Sequence, residues 1–358
     1  MREKKKKYAI FILGMVGVFV LGLFFFYFRD IPFPLPYPAK ESPPLAISET
    51  EKFIWDKERE QWDQYIQRVG VLKAYEDMIT VYRSKNAQVQ HLAAHIFGEL
   101  LYDKMGIKGI SVCDGSFGFG CYHTFFSRAL SNHGIEIISA LDEACVEKFG
   151  PLGLGCPHGI GHGLGEYMGQ ARLVDQLNVC ATLNWQGPVS GCQGGVFMEY
   201  NFPILIDGTD IIPTRRPFRA DDPYAPCNRV PERFRRACYF EQGEWWARVL
   251  AEDYGRIGGL CAGITNRNEY IDCFRGLGSA IGPLSQYNIE NSIKSCTLMP
   301  SVEEEVLCRA GASWSFFANP IYRDIAPRLC EGLLPDQSAL CKRKADLISE
   351  MTNPYITR

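Results

Sequence analysis

The sequence predicts an all-α protein: a two-helix repeat solenoid, or curved α/α array, stapled by disulfides and preceded by one transmembrane helix. Three observations carry this prediction. Fourteen cysteines fall into seven couples recurring about every 35 residues. Apolar residues after Glu51 follow helical spacing. An uncharged apolar run follows a short basic N-terminus.

That run extends from Tyr8 to Phe28, long enough at ~1.5 Å per residue to cross a hydrocarbon core of ~30 Å. A cleavable signal peptide would have a shorter apolar region and small residues at its cleavage site. Here the run ends in FFFYF before Arg29 and Asp30, which favours an uncleaved anchor. The cationic residues of Met1–Lys7 are expected to keep residues 1–7 cytoplasmic and send the rest outward, into the periplasm or outside the cell. Cysteine placement agrees, because all fourteen lie between Cys113 and Cys341, where disulfides suit an oxidising compartment. No Asn-x-Ser/Thr sequon occurs, which favours a bacterial envelope over a eukaryotic secretory surface.

With 358 residues and 46% apolar content, the chain can bury a large core. A net charge of −3 without a basic stripe argues against a nucleic-acid partner. Residues 29–50 carry prolines at 32, 34, 36, 38, 43 and 44 and read as an extended spacer. Residues 51–85 then read as N-terminal helices, with Phe53, Ile54, Trp55, Trp62, Tyr65, Ile66 and Val69 on one spacing.

Residues 86–358 form the repeats. The couples are Cys113/Cys121, Cys145/Cys156, Cys180/Cys192, Cys227/Cys238, Cys261/Cys273, Cys296/Cys308 and Cys330/Cys341. First cysteines lie 32, 35, 47, 34, 35 and 34 apart, the length of a helix-turn-helix unit apart from the 47. That excess marks an insertion near 202–224, where FPILIDGTDIIPT reads as a β-hairpin around Asp-Gly. Within a unit, the first cysteine is expected to end one helix and the second to open the next. Turn formers such as Gly150-Pro151-Leu152-Gly153 and Leu334-Pro335-Asp336 lie between them. Two pairings fit antiparallel helices: Cys121 can reach Cys113 across the loop or Cys145 across the hairpin. Hairpin pairing throughout strands Cys113 and Cys341, whereas loop pairing uses every cysteine and is preferred.

Glycine recurs three positions after the second cysteine, at Gly159, Gly195, Gly276 and Gly311. Repeated glycine on a helix costs stability but allows close approach of a neighbour. Gly159-Ile-Gly-His-Gly-Leu-Gly165 superficially suggests a phosphate loop, yet no strand pattern precedes it and no Lys-Ser/Thr follows. Close packing is the preferred reading, and no nucleotide is expected.

The cysteine couples, their period, and Leu101-Tyr102 with Gly106 resemble secreted bacterial cysteine-rich repeat proteins of the tetratricopeptide-like kind, over roughly residues 86–341. That resemblance is structural and implies disulfide-stapled two-helix units. The chain is also similar to bacterial membrane-anchored proteins with Cys-x-His-Gly units, which imply no particular activity.

All six histidines fall between 91 and 162. His91 and His95 lie 22 and 18 residues before Cys113; His123 and Ser127 stand at the same offsets from Cys145, and His158 and His162 from Cys180. Residues four apart share a helix face, and the next on each face are Glu99, Ser131 and Glu166. Five imidazoles and two carboxylates on one stripe suit Zn²⁺ or Cu²⁺, so the candidate ligands are His91, His95, His123, His158, His162, Glu99 and Glu166. The alternative is a polar stripe of hydrogen-bonded histidines without metal. Helices stacked ~8–10 Å apart would hold the outer pairs too far apart for one ion, unless the array curves or one pair works with His123. His133 lies off the stripe. No HExxH, Gly-x-Ser-x-Gly or Cys-x-x-Cys-His motif occurs, so zincin, hydrolase-elbow and c-type haem chemistry are not expected.

These features point to a membrane-anchored extracytoplasmic binding or scaffold protein with a histidine metal site and a protein or peptide ligand on its helical surface. The alternative is a metal-dependent enzyme, a hydrolase or oxidoreductase, in which Glu99 or Glu166 acts as ligand or general base and Glu199 as a further acid/base. Trp245-Trp246 and the insertion are candidate contact elements, with the core as the alternative place for a Trp pair. The orientation predicts that protease added outside intact cells or spheroplasts digests the repeat region. Protection of that region would overturn the topology.

Overall fold

The structure, a computed structural model of the chain, describes residues 55–150, 155–184, 191–207, 210–213 and 215–346. The expected cytoplasmic tail (1–7), membrane span (8–28) and proline-rich spacer (29–50) lie outside the described residues. Among the described residues, no helix is long and apolar enough to cross a membrane.

The fold is all-helical apart from one two-stranded hairpin. Helices α1 (Trp55–Val69) and α2 (Val71–Tyr82) come first, joined through Gly70 at positive φ. They pack together and on α3 (Ala87–Met105), with Trp62, Tyr65, Tyr82 and Phe97 buried where they meet. Trp62 meets Phe97 edge-on at 5.0 Å. Helix α3 begins where Asn86 accepts from the Val89 amide, an N-cap that satisfies one orphan donor of the first turn.

Long and short helices then alternate. The long ones, with α8 the shortest of them at ten residues, are the helices that stack on one another: α4 (Gly120–His133), α6 (Cys156–Met168), α8 (Cys192–Asn201), α9 (Glu232–Val249), α11 (Arg267–Leu284) and α13 (Val302–Ala318). The short ones are α5 (Ile138–Phe149), α7 (Leu173–Cys180), α10 (Tyr254–Ala262) and α12 (Ile289–Cys296). A 3₁₀ segment at Arg323–Cys330 and α14 (Pro335–Ala345) end the series. From α3 onward each long helix packs on the next, in the order α3, α4, α6, α8, α9, α11, α13. Each short helix from α5 on packs against the long helix that follows it.

The disulfides join the couples across their loops, from Cys113–Cys121 through Cys330–Cys341, with Cα atoms 5.4 to 5.7 Å apart and no free cysteine. Loop pairing is therefore the pattern present, and each bridge closes a loop worth roughly 2–3 kcal/mol on the chain-entropy account. The second cysteines do not all open a helix as the sequence suggested. Cys121, Cys156 and Cys192 do, but Cys238, Cys273, Cys308 and Cys341 sit two turns in. The cause is local: glycines flank the first three (Gly120, Gly155, Gly191), so the helix starts only at the bridge. In α11 a capping Asn266 begins the helix earlier.

The insertion contains the expected hairpin, Ile204–Asp207 paired antiparallel with Asp210–Pro213. The chain after it lies against α9. Trp245 and Trp246 are wholly buried there, donating to the carbonyls of Arg216 (2.8 Å) and Pro223 (3.2 Å), and the Arg216 guanidinium stacks over the Trp245 ring. The pair is core, not a contact surface.

Glycines set the spacing between long helices. A β-carbon on Gly276 would lie 1.8 Å from the Phe240 carbonyl oxygen, and one on Gly311 1.8 Å from that of Arg275. Replacing either with Ala gains helix propensity of up to ~1 kcal/mol, but the clash is with backbone that cannot rotate away, so overpacking of about 1–3 kcal/mol wins. Gly276→Ala and Gly311→Ala should therefore lower the denaturation midpoint. Gly259→Ala, in α10 with nothing within 4 Å, should hold or raise it.

Candidate metal centre

The five histidines of the stripe arrive on three helices, His91 and His95 on α3, His123 on α4, His158 and His162 on α6. The glycine run of α6 brings the helices close. Gly159 and Gly163 face α4, where a β-carbon would meet Phe126 at 2.6 Å and Leu130 at 2.8 Å. Gly161 and Gly165 face α8, where it would meet the Cys192 carbonyl at 2.0 Å and Glu199 Cγ at 2.6 Å. Two glycine flanks thus leave His158 and His162, one turn apart, between them. Close packing, not phosphate binding, explains the run.

Among the described residues, two groups of metal-ligating side chains converge: His91, His95 and His123, and His123, His158 and His162. Within each group, one nitrogen per ring lies within 4.8 Å of the others. In the first, His95 Nε2 is 3.0 Å from His91 Nε2 and 3.1 Å from His123 Nδ1. In the second, His162 Nε2 is 3.2 Å from His158 Nε2, and the His123 and His162 rings stack at 3.8 Å. The spacing conflict posed by straight stacking is thereby resolved, because the outer pairs need not share one ion when His123 stands in both groups.

Outer contacts fix which nitrogens are free. His91 Nδ1 is 2.8 Å from the Phe117 carbonyl, which can only accept, so the proton of the neutral ring sits on Nδ1 and the Nε2 lone pair faces the cluster. His162 Nδ1 is 3.1 Å from Glu199 Oε2 and by the same logic presents Nε2 inward. Two buried imidazole nitrogens, His123 Nε2 and His158 Nδ1, have no hydrogen-bond partner, although the Gly191 backbone lies close enough to the His158 ring to favour its protonated form. Such atoms are rare in native interiors and call for an explanation.

The carboxylates of the stripe are not brought in. Glu99 is held by Arg59, whose Nε donates to Oε2 at 3.1 Å, and Glu166 is exposed at the end of α6. Eight residues along a helix is about 80° off the starting direction, which carries both away from the imidazoles. Ser127, the residue replacing a histidine on α4, donates back to the His123 carbonyl at 3.1 Å. His133 is exposed and apart from the cluster. Two buried glutamates stand close instead: Glu199 on α8, bonded to His162, and Glu241 on α9. A β-carbon on Gly194 would touch both Glu241 Oε1 (2.6 Å) and His158 Nδ1 (3.2 Å). The sequence marked Glu199 only as an acid/base and gave no signal for Glu241, which reaches the site from a distant unit.

Burial sets the electrostatics. Desolvation holds all five imidazoles below their ordinary value, His158 down at about 4, with the neighbouring rings adding to the shift at His95, His123 and His162. Burial pushes the Glu241 carboxyl well above the usual carboxylate range, and Glu244 adds to this. The cluster at neutral pH is thus a set of neutral nitrogen donors, the state that binds metal. No known protein family, no curated protein and no solved structure is detectably similar to this chain.

The depressed imidazoles predict an acid-labile apoprotein. The unfolded chain, with histidines near ~6.5, takes up more protons than the folded one as pH falls. Stability should be complete above about pH 6.5 and decline from there toward the folded-state values, about 4 for His158. Glu99, Glu241, Glu244 and Glu269, raised by burial, work in the opposite sense, so the decline is the imidazoles' share of the profile. Thermal midpoints of chelator-treated protein across this range test the prediction, and a flat profile would mean the rings are hydrated or protonated in the folded state.

Proposed function

We propose that this chain is a membrane-anchored, extracytoplasmic helical-repeat protein that holds a transition-metal ion, Zn²⁺ or Cu²⁺, in its first three histidine-bearing units. The rest of the array would serve as a binding surface for a protein or peptide. One observation carries the metal reading: five neutral imidazoles from three successive units converge, four buried and His91 half-buried, and each flanking pair lies within ligand distance of the same His123. Imidazole sets suit Zn²⁺ and Cu²⁺, and thiolate competition is absent because every cysteine is bridged. The Glu199–His162 contact is the outer-shell carboxylate that metal-bound histidines commonly have. The repeat-array reading is supported by the cysteine period and by the order in which the long helices pack.

A second reading, a metal-dependent hydrolase or oxidoreductase, is favoured by one feature. Each group supplies three imidazoles, the count that leaves a coordination position open for water or substrate. In that reading Glu199 orients His162, and Glu241, buried beside His158, is the acid/base group near the ion.

Purified full-length protein should contain stoichiometric zinc or copper by elemental analysis. Metal binding only to the folded state adds RT ln(1 + [L]/Kd) to stability, so at a hundredfold excess over Kd the gain is ~2.7 kcal/mol. Chelation should lower the thermal midpoint and re-addition of Zn²⁺ or Cu²⁺ restore it. A protein that neither carries metal nor responds to either ion would leave the cluster a purely structural stripe.

A further inference from the structure

We infer that the histidine cluster is a two-ion centre in which the His123 imidazole bridges the metals, Nδ1 to one and Nε2 to the other. The inference rests on the metal reading above and specifies its stoichiometry and connectivity.

The argument begins with hydrogen bonding in the first group. His91 Nε2 has no proton, since that ring's proton lies on Nδ1 against Phe117. His95 Nε2 then faces two neighbours, His91 Nε2 at 3.0 Å and His123 Nδ1 at 3.1 Å, with at most one proton of its own to donate. Three nitrogens meet where one N–H cannot satisfy them all, whereas a cation at their centre would be met by three lone pairs. Their separations are those of ligands around a small ion, which binds imidazole nitrogen at ~2.0–2.1 Å.

The second group is built from the other end of the same ring. With Nδ1 of His123 committed to His95, its Nε2 is buried without a partner. His158 and His162 present Nε2 atoms 3.2 Å apart, and the His162 ring lies stacked 3.8 Å from the His123 ring. The grouping of His123 with His158 and His162 repeats the three-donor arrangement of the first group. A single ion in the first group would leave His123 Nε2 without a partner, and a single ion in the second would leave the crowded nitrogens of His91, His95 and His123 short of protons. Two ions use every ring and assign a lone pair to each of the five inward nitrogens and to His123 Nε2.

The chemistry balances simply. A neutral His123 ring carries one N–H proton and offers one lone pair, which binds the first ion. The second ion takes the place of that proton, which is released to solvent, and the ring remains as an imidazolate between the metals. Ser127 matters here by what it lacks. A second imidazole on α4 would give that helix a His pair of its own, whereas Ser127 folds back on the His123 carbonyl and leaves His123 as the sole link.

The test is titration of full-length apoprotein with Cu²⁺, read by elemental stoichiometry and electron paramagnetic resonance. Two ions per chain are expected, with an isolated Cu²⁺ signal after the first equivalent that loses intensity as the second arrives and couples through the bridge. His91→Ala and His162→Ala should each retain one ion with an uncoupled signal. His123→Ala should bind none tightly, with circular dichroism confirming that it folds. Binding of one ion that His91→Ala and His162→Ala both abolish would overturn the two-ion centre while leaving the metal reading intact. Two ions that stay uncoupled, or survive His123→Ala, would overturn the bridge. No binding at all would remove both readings together.

Discussion

The Cys192 carbonyl oxygen stands 2.0 Å from where a β-carbon on Gly161 would be, and the His158 carbonyl stands 1.9 Å from where one on Gly195 would be. These two contacts face each other across α6 and α8, so the helices touch backbone to backbone. Along the opposite flank of α6, Gly159 and Gly163 admit side chains of α4 where β-carbons would be, Phe126 at 2.6 Å, Tyr122 at 2.7 Å and Leu130 at 2.8 Å. Everything distinctive about the cluster follows from this. Helices separated by ordinary side chains sit ~8–10 Å apart, near enough for imidazoles on neighbouring axes to share an ion but too far for rings on different helices to stack in one continuous set. With glycine on both flanks, the rings of His123 and His162 can stack, and histidines from α3, α4 and α6 form one contiguous set. Glycine in a helix costs up to ~1 kcal/mol per position, and α6 carries four of them in seven residues. The disulfides Cys145–Cys156 and Cys180–Cys192, closed on either side of α6, offset that cost by restricting the unfolded chain.

Close approach also creates an electrostatic demand. Five imidazoles gathered away from water cannot all be protonated, and the outer contacts set the tautomers in which lone pairs point at one another. Lone pairs aimed inward from three helices are unfavourable without something positive between them. The two glutamates nearest the cluster are placed outside the ring of nitrogens, Glu199 against His162 and Glu241 beside Gly194 and His158. From there they compensate charge without displacing a nitrogen donor. A bound cation inverts the local logic that keeps Glu241 protonated, because its field favours the carboxylate that burial alone disfavours. The same buried acid is thus a cost without a metal and would be a counter-charge with the proposed one.

Much of this was legible in the sequence because it is periodic. The cysteine couples report loop closures of 8 to 12 residues, and a hairpin pairing that would strand two thiols was the less favoured alternative. The shared offsets of His91, His123 and His158 from the following cysteines placed them on three successively packed helices, although those helices run 19, 14 and 13 residues. The hairpin at Ile204–Asp207 and Asp210–Pro213 was visible from Asp-Gly between β-formers. What failed was extrapolation along a helix. Adding a third member to each four-residue step put Glu99 and Glu166 on a face they had already rotated away from, and the acids that do reach the rings come from helices not adjacent in sequence. The depth of the second cysteine in α9, α11, α13 and α14 was invisible for a related reason. Cysteine spacing fixes the bridge, whereas the helix start depends on whether glycine or a capping residue precedes it.

The position of the cluster in the chain has a mechanical consequence. Where units touch mainly their neighbours, stability is close to a sum of unit terms and nearest-neighbour contacts, and an end unit, with only one neighbour, is the first to fray. Here α3 is covered by α1 and α2 on one side, through Trp62, Tyr65 and Phe97, and meets α4 on the other. Coordination of the proposed kind, linking His91 and His95 to His123 and His123 to His158 and His162, would tie three consecutive long helices through donors rather than through apolar contact. Opening any one of them would then require giving up ligands, so the least supported end of the array would unfold only as a block with α4 and α6. The C-terminal units have no histidine and reach the same end differently, with Gly276, Gly278 and Gly311 packing backbone on backbone between α9, α11 and α13. One spacing device thus serves two ends of the chain. Among the described residues, only at the N-terminal one does it also gather side chains fit to hold a metal.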